Sequence, residues 1–366
     1  MVKQRNTVND LKPYIPGKPI EEVRRELGID RIVKLASNEN PLGSSPAASR
    51  VVEEWSKNMA IYPDGNSTDL KEALSEKLGV DPSQLLFGAG VDQVLEIIAQ
   101  TYINPGDNAI IGYPSFPRYE TVVKVMEGEL IEVPLTHDYR MDLEGFLQNI
   151  NDKTKIIWLC NPNNPTGTII TEEEQRNFIQ EVPKDILAVL DEAYYEYAIG
   201  NHYPDSIKLL DEFDNLIILR TFSKVYGLAG LRIGYAIANK DIIAYLNRVR
   251  GPFNTSAAAQ LAAIAALEDQ KFVKDSVSVN NKGKEYLYSA FEEMDLDYIP
   301  THANFLMVKI GIPSDQVFKA LLEKGVIIRS GDIFGMDDWI RVTIGTIDEN
   351  EIFVQALKEV IKSYKG

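Results

Sequence analysis

The sequence predicts an α/β protein in which a large domain, built on a mostly parallel sheet covered by helices, is followed by a smaller α+β domain. Three observations predict it. Between residues 85 and 219, short apolar runs of the kind that form fully buried strands alternate with amphipathic helical patterns. After Gly251-Pro252 the texture changes, and long helices surround a few short apolar strands. A length of 366 residues also exceeds one typical core, so two domains are expected. The expected division is an N-terminal arm, 1–44, packing with the small domain; a large domain, 45–268; and a small C-terminal domain, 269–366.

Taken in order, the chain opens on a proline-rich stretch, Asp10 to Pro19, that should be extended. An amphipathic helix, Ile20 to Leu27, and a strand, Ile32 to Ala36, lead into Ser37-Asn-Glu-Asn-Pro-Leu-Gly43, a polar, proline-broken loop. Helical patterns at Ala47–Asn58 and Ser67–Leu78 flank Ile61-Tyr-Pro-Asp-Gly65. Strands then follow at Leu85–Phe87, Ala109–Ile111, Leu130–Pro134, Lys155–Cys160, Ile186–Leu190 and Leu216–Leu219, with a further strand ending near Ala238. Between them lie helices at Val91–Tyr102, Pro117–Met126, Leu143–Ile150 and Glu172–Ile179, the last opened by a Thr171/Glu174 capping box. An alanine-rich helix, Ser256–Leu267, and a long polar helix, Phe272–Glu293, precede strands Phe305–Val308, Val326–Arg329 and Ile340–Ile344. Helices at Ser314–Lys324 and Asp348–Lys362 complete the chain.

A formal net charge of −16 argues against nucleic-acid or anionic-membrane partners, which call for a basic stripe. An anionic ligand must then be drawn in by a local cluster of arginines against the global field. No apolar run approaches the ~20 residues of a membrane helix, and the opening MVKQRNTVNDLKPY has no apolar signal region. The single cysteine, Cys160, cannot close an internal disulfide, so a cytoplasmic protein is expected. His137, His202 and His302 lie far apart without partners at ligand spacing, and no metal site is expected.

The residues that carry chemistry sit where strands end, the usual ligand-binding edge of such a sheet. Lys224 follows the buried strand Leu216–Leu219 through Arg220-Thr-Phe-Ser223. A cation there sits in a cleft, where desolvation lowers its pKa and leaves a usable fraction as neutral nucleophile; a lone lysine would read as a solvated loop residue, and the rest of the chain overturns that reading. Ser223 and Arg232 add a hydroxyl and a guanidinium of the kind that hold a phosphate. Gly88-Ala-Gly-Val-Asp92 opens a helix after a strand and suits an anion, while a dinucleotide fingerprint would need a third glycine where Gln93 stands. Asn161-Pro-Asn-Asn-Pro-Thr-Gly167 is either an elaborate turn or a binding loop. Asp191 closes an apolar strand and needs a partner, whether a helix N-terminus, an arginine or a ligand. Phe116, Tyr194 and Tyr195 fill the core or touch a ring. Together these residues ask for a planar, phosphorylated ligand with a basic ring nitrogen and an aldehyde. Pyridoxal phosphate has those parts, and its recurring site is a Schiff-base lysine with an acid on the ring nitrogen.

Leu11-Lys-Pro-Tyr-Ile-Pro-Gly17, Leu35-Ala-Ser-Asn-Glu-Asn-Pro-Leu-Gly43, Tyr62-Pro-Asp64, Asn164-Pro-Thr-Gly167, Asp191-Glu-Ala-Tyr194, Thr221-Phe-Ser-Lys224 and Arg232-Ile-Gly-Tyr235 span nearly the whole chain. In them the sequence resembles the fold-type I aminotransferases, and within these the histidinol-phosphate aminotransferases. The first two motifs point to that subgroup, and several of the others are generic to the fold type. The resemblance implies Lys224 as Schiff-base lysine and proton shuttle, Asp191 on the pyridine nitrogen, Asn164 and Tyr194 on the ring hydroxyl, and Phe116 stacked on the ring. It places the cofactor phosphate on Gly90, Val91, Asp92, Ser223, Arg232 and, from the neighbouring subunit of a homodimer, Tyr62. Relatives often carry Tyr or Trp where Phe116 stands, so the π-face is kept and a polar handle lost. Tyr14, Asn38, Arg329 and Arg341 match substrate-side positions, although an arginine on a strand otherwise reads as an exposed rim residue. The implied activity is ping-pong amino transfer between glutamate/2-oxoglutarate and histidinol phosphate/imidazole acetol phosphate, since guanidinium forks grip carboxylate and phosphate alike. An aromatic aminotransferase, or a lyase of the threonine-phosphate decarboxylase type, shares much of the pattern.

Overall fold

The computed structural model describes residues 2–9, 11, 13, 17–200 and 202–365. Its strands are β1 (Val33–Lys34), β2 (Leu85–Gly88), β3 (Asn108–Tyr113), β4 (Glu129–Pro134), β5 (Thr154–Cys160), β6 (Leu187–Asp191), β7 (Leu216–Thr221) and β8 (Gly234–Ala238). The chain continues with β9 (Tyr298–Ile299), β10 (Phe305–Lys309), β11 (Val326–Ile327), β12 (Arg329–Ser330) and β13 (Trp339–Thr343).

Among the described residues, seven strands form the main sheet in the order β2-β8-β7-β6-β5-β3-β4. Pairing is parallel from β7 through β4, and β8 runs antiparallel to both β7 and β2. Every residue of β6 and β7 is buried, because helices cover both faces and leave no solvated side on which polar residues could alternate. Register then sets the site. Cys160 pairs with Asp191 and Asp191 with Leu219, so the loops leaving β5, β6 and β7 emerge side by side. The antiparallel β8 brings its first residue, Gly234, between Thr221 and Gly88 at the same rim.

A second sheet has the order β12-β13-β10-β9. The expected strand Val326–Arg329 is two strands in two sheets: β11 pairs in parallel with β1 of the N-terminal arm, whereas β12 pairs antiparallel with β13. The run is apolar up to Arg329, but its two halves meet different partners. The expected arm strand Ile32–Ala36 is correspondingly short, because its partner β11 offers two residues.

One apolar core surrounds the main sheet and takes in Ala259, Ala262, Ala263 and Ala266 of the alanine-rich helix Ala257–Glu268. A second gathers Leu306, Val308, Ile340, Val342, Phe353 and Leu357 with Val33 and Leu35 of the arm. The long helix Gln270–Glu293 touches both, packing Val273 and Val277 on the first and Leu287 and Phe291 in the second. No helix among the described residues is long and apolar enough to cross a membrane.

Candidate active site

Lys224 leaves the end of β7 and points into a cleft of about 740 Å³, including its open mouth. Lining it with Lys224 are Ser37, Asn38, Val91, Asp92, Phe116, Cys160, Asn164, Asp191, Tyr194, Thr221, Ser223, Arg232 and Arg341. Lys224 Nζ donates to the Ser37 carbonyl at 3.5 Å and lies 5.5 Å from the centre of the Tyr194 ring. Burial, then the nearby Arg341 guanidinium, push its pKa down to about 8, so a real fraction is neutral amine near physiological pH. The solvated-loop alternative for this lysine does not fit that setting.

Asp191 ends β6 and is buried. Among the described residues no arginine forms an ion pair with it. Its Oδ2 accepts from the Tyr119 hydroxyl at 2.8 Å, and its Oδ1 from the Ala193 N–H at 3.2 Å. Burial raises its pKa to about 6, against those two hydrogen bonds. The arginine next door, Arg220, is taken by Glu192 in an ion pair at 2.8 Å, with the Tyr195 ring 3.6 Å from its guanidinium carbon.

The anion end is built from three turns. Gly90, at φ 77°, precedes the helix Val91–Tyr102, and a Cβ there would collide with the Arg232 guanidinium. A Cβ on Gly234 would stand 2.7 Å from the Val91 nitrogen. Glycine at both positions lets the guanidinium and β8 close onto the helix N-terminus, where unpaired N–H groups and the helix dipole attract negative charge. Arg232 adopts the left-handed backbone at φ 56°, an uncommon state for a side-chain-bearing residue that recurs at functional sites. Its Nη2 reaches Asp92 Oδ2 at 3.0 Å and its Nη1 donates to Ser223 Oγ at 3.4 Å.

Across the cleft, Asn38 also takes the left-handed backbone, at φ 56°, which asparagine tolerates better than most residues. The Thr343 hydroxyl accepts from its N–H at 2.9 Å, and Asn304 donates to its carbonyl at 3.0 Å. Its Nδ2 then donates to the Tyr194 hydroxyl at 2.9 Å. Arg341 reaches in from β13 and donates to Asn164 Oδ1 at 2.6 Å and to the Ala36 carbonyl at 2.9 Å. Asn164 is the middle residue of the 161–167 loop, and its neighbour Asn163 bonds Ser115 and Thr166. The loop is therefore held by its own asparagine while Asn164 faces the cleft, more than a turn requires.

Two expected residues lie elsewhere, and a third falls outside the described residues. Arg329 lines a separate cavity of about 1530 Å³ with Tyr113, Glu120, Glu132 and Phe334, and Phe116 borders both spaces. Tyr62 is 80 % exposed and stacks on Phe253 at 4.9 Å, away from the lysine of its own chain. Tyr14 lies outside the described residues. Sequence reasoning missed Tyr119 and Thr343. Tyr119 lies in the first turn of the helix Arg118–Val125, three residues after Phe116, and no local pattern ties its hydroxyl to Asp191.

The family model described as aminotransferase class I and II matches residues 30–357. A histidinol-phosphate aminotransferase of Caldicellulosiruptor saccharolyticus is 54 % identical over 98 % of this chain and 99 % of its own length. One from Moorella thermoacetica is 52 % identical over 98 % of this chain and 93 % of its own. Among solved structures, the histidinol-phosphate aminotransferase of Sinorhizobium meliloti in complex with pyridoxal-5'-phosphate superposes with a TM-score of 0.91 at 29 % identity, covering 100 % of this chain and 99 % of that one. An aspartate aminotransferase double mutant of Thermus thermophilus, with a TM-score of 0.84 at 22 % identity over 99 % of this chain and 100 % of its own, shares the fold.

Proposed function

This chain belongs to the class I and II aminotransferases and has their fold-type I architecture, and we propose that it moves the amino group of histidinol phosphate to 2-oxoglutarate, giving imidazole acetol phosphate and glutamate by a ping-pong route. The observation that carries the reading is one cleft holding an amine of lowered pKa, a buried acid and a glycine-lined anion cradle, in a chain 54 % identical to a histidinol-phosphate aminotransferase.

These residues fit pyridoxal phosphate. The donor set offers an acid for its ring nitrogen, the face of Phe116 for its ring, Asn164 and Tyr194 for its ring hydroxyl, and the Gly90–Asp92 backbone with Ser223 and Arg232 for its phosphate. Bound there, the cofactor supplies an aldehyde that takes up the amino group and a protonated ring that withdraws electrons from the substrate. Lys224 Nζ is the base that takes and returns a proton at the amino-bearing carbon, helped by a pKa near the working pH. The Asp191 carboxylate holds positive charge opposite it. Asp92 keeps the Arg232 guanidinium aimed at the phosphate position. Arg341 offers a fork to the anionic end of either substrate, releasing neutral oxygens of Asn164 and Ala36 for a charged one.

In the same reading the enzyme is a cytoplasmic homodimer, with Tyr62 reaching the partner's cofactor phosphate. Residues 1–44 act as an arm, 45–268 as the cofactor-binding domain and 269–366 as the small domain, a division supported by the two apolar cores. The test is to incubate the protein with histidinol phosphate and 2-oxoglutarate and measure glutamate. Turnover of phenylalanine or tyrosine with none of histidinol phosphate would move it to the aromatic class. Carbon dioxide from phosphothreonine, with no glutamate in the first assay, would make it a lyase.

A further inference from the structure

We infer that Tyr119 is a positioning residue for Asp191, its buried hydroxyl fixing one carboxylate oxygen and keeping the acid ionised and aimed at the cleft; the inference rests on the proposed function for its catalytic meaning, but not for its geometry.

Tyr119 sits on the helix Arg118–Val125 and is fully buried. Its ring stacks on Trp158 at 5.3 Å with 10° between planes and meets Phe116 edge-on at 5.6 Å and 86°. From that fixed ring the hydroxyl donates to Asp191 Oδ2 at 2.8 Å. One aromatic column therefore places both the residue that faces the ligand's ring and the acid assigned to its nitrogen. Burial pushes the phenol well above its ordinary pKa, so it stays a donor.

The surroundings make this donor matter. Asp92 and Glu192 are negative and, with burial, favour the neutral acid at Asp191. Cys160 and Tyr194 also face it and are themselves held neutral by burial, while Arg220 is engaged by Glu192. What opposes protonation is the Tyr119 hydroxyl first and the Ala193 N–H second. A neutral Asp191 cannot pair with a protonated ring nitrogen. Without the hydroxyl the acid should titrate higher, and the site should lose part of that pairing at neutral pH and nearly all of it in mild acid.

The decisive variant is Tyr119→Phe, which keeps the ring and its stacking. In full-length protein labelled with ¹³C at aspartate carboxyls and free of cofactor, the Asp191 resonance is assigned by its loss in Asp191→Asn. Its titration midpoint should rise by about one pH unit in Tyr119→Phe, the size of one hydrogen bond to a charged group. Pyridoxal phosphate, titrated into the same proteins, should bind about twofold more weakly to Tyr119→Phe at pH 7, where about half of the acid is still ionised, and nearly tenfold more weakly at pH 5. In an Asp191→Asn background, Tyr119→Phe should add nothing to that loss. Tyr119→Leu removes the stacking as well and separates packing from the hydrogen bond: its midpoint shift should match that of Tyr119→Phe. An Asp191 midpoint unchanged in Tyr119→Phe overturns the inference whether or not the cofactor binds. Failure of the unaltered protein to bind pyridoxal phosphate overturns the proposed function instead, while a raised midpoint still supports the pair.

Discussion

Arg329 and Arg341 face each other in register across β12 and β13, yet they line different cavities, Arg341 in the lysine cleft and Arg329 in the larger space beyond Phe116. Arg341 is tied at 2.6 Å to Asn164 in the loop that follows β5, so this guanidinium links the second sheet to the rim of the main one.

Replacing Arg341 with alanine should therefore weaken glutamate and histidinol phosphate together, since one site serves both half-reactions. Losing a charge-assisted hydrogen bond to a bound anion costs about 1.5–3 kcal/mol, roughly 10- to 150-fold in affinity. Arg329→Ala should raise KM for histidinol phosphate more than for glutamate, as expected if the longer substrate alone reaches past Phe116 towards the second cavity. Steady-state kinetics on both substrates check the pair, and equal losses in Arg329→Ala would contradict the separation.

For Lys224 the pH dependence has a definite sign. Its pKa is lowered to about 8, so the neutral amine grows as pH rises through that value and is nearly complete a unit above it. The rate at which the protein captures pyridoxal phosphate covalently should rise with the same midpoint. Borohydride should then fix the label on the peptide containing Lys224, and Lys224→Ala should abolish both capture and turnover while circular dichroism is unchanged. A label on another lysine would sink the assignment.

Asp191 should cost stability when the cofactor is absent. Its folded pKa, about 6, lies above the ordinary value of 3.8, so the folded chain binds the extra proton. Stability is therefore lost as pH rises from about 4 to about 6 and stays lost above that. Urea denaturation of the cofactor-free protein at pH 7 should find Asp191→Asn more stable, by at most on the order of 2–3 kcal/mol, with the gain shrinking towards pH 4. The same variant should bind pyridoxal phosphate more weakly. A variant less stable at every pH would mean that the carboxylate is not strained by burial.

Tyr62 stands 80 % exposed against Phe253, outside its own chain's cleft. If it serves a partner's phosphate site, a Tyr62→Ala chain mixed with an inactive Lys224→Ala chain should regain part of the lost activity. Mixed dimers with no recovery would place Tyr62 outside the site altogether.

Much of this was legible in the chain itself, where the information is local. The capping box at Thr171 and Glu174 and the helix Val91–Tyr102 follow from residues within one turn of each other, and both are present as expected. Lys224 and Asp191 announced themselves because charge at the end of an apolar strand has few places to go, and parallel pairing sets those strand ends side by side. Only the tertiary structure decided what each charge meets. Val326–Arg329 reads as one apolar strand, but β1, from nearly 300 residues away, takes its first half and β13 its second, and that split sends Arg329 and Arg341 to different spaces. Asp191 had an arginine on the neighbouring strand, Arg220, and instead bonds Tyr119, from a helix 72 residues earlier, because Arg220 is held by Glu192. Helix and strand periods depend on the next few residues. Partners of buried charges depend on which distant surfaces the packed core brings within 3 Å, and spacing along the chain does not encode that.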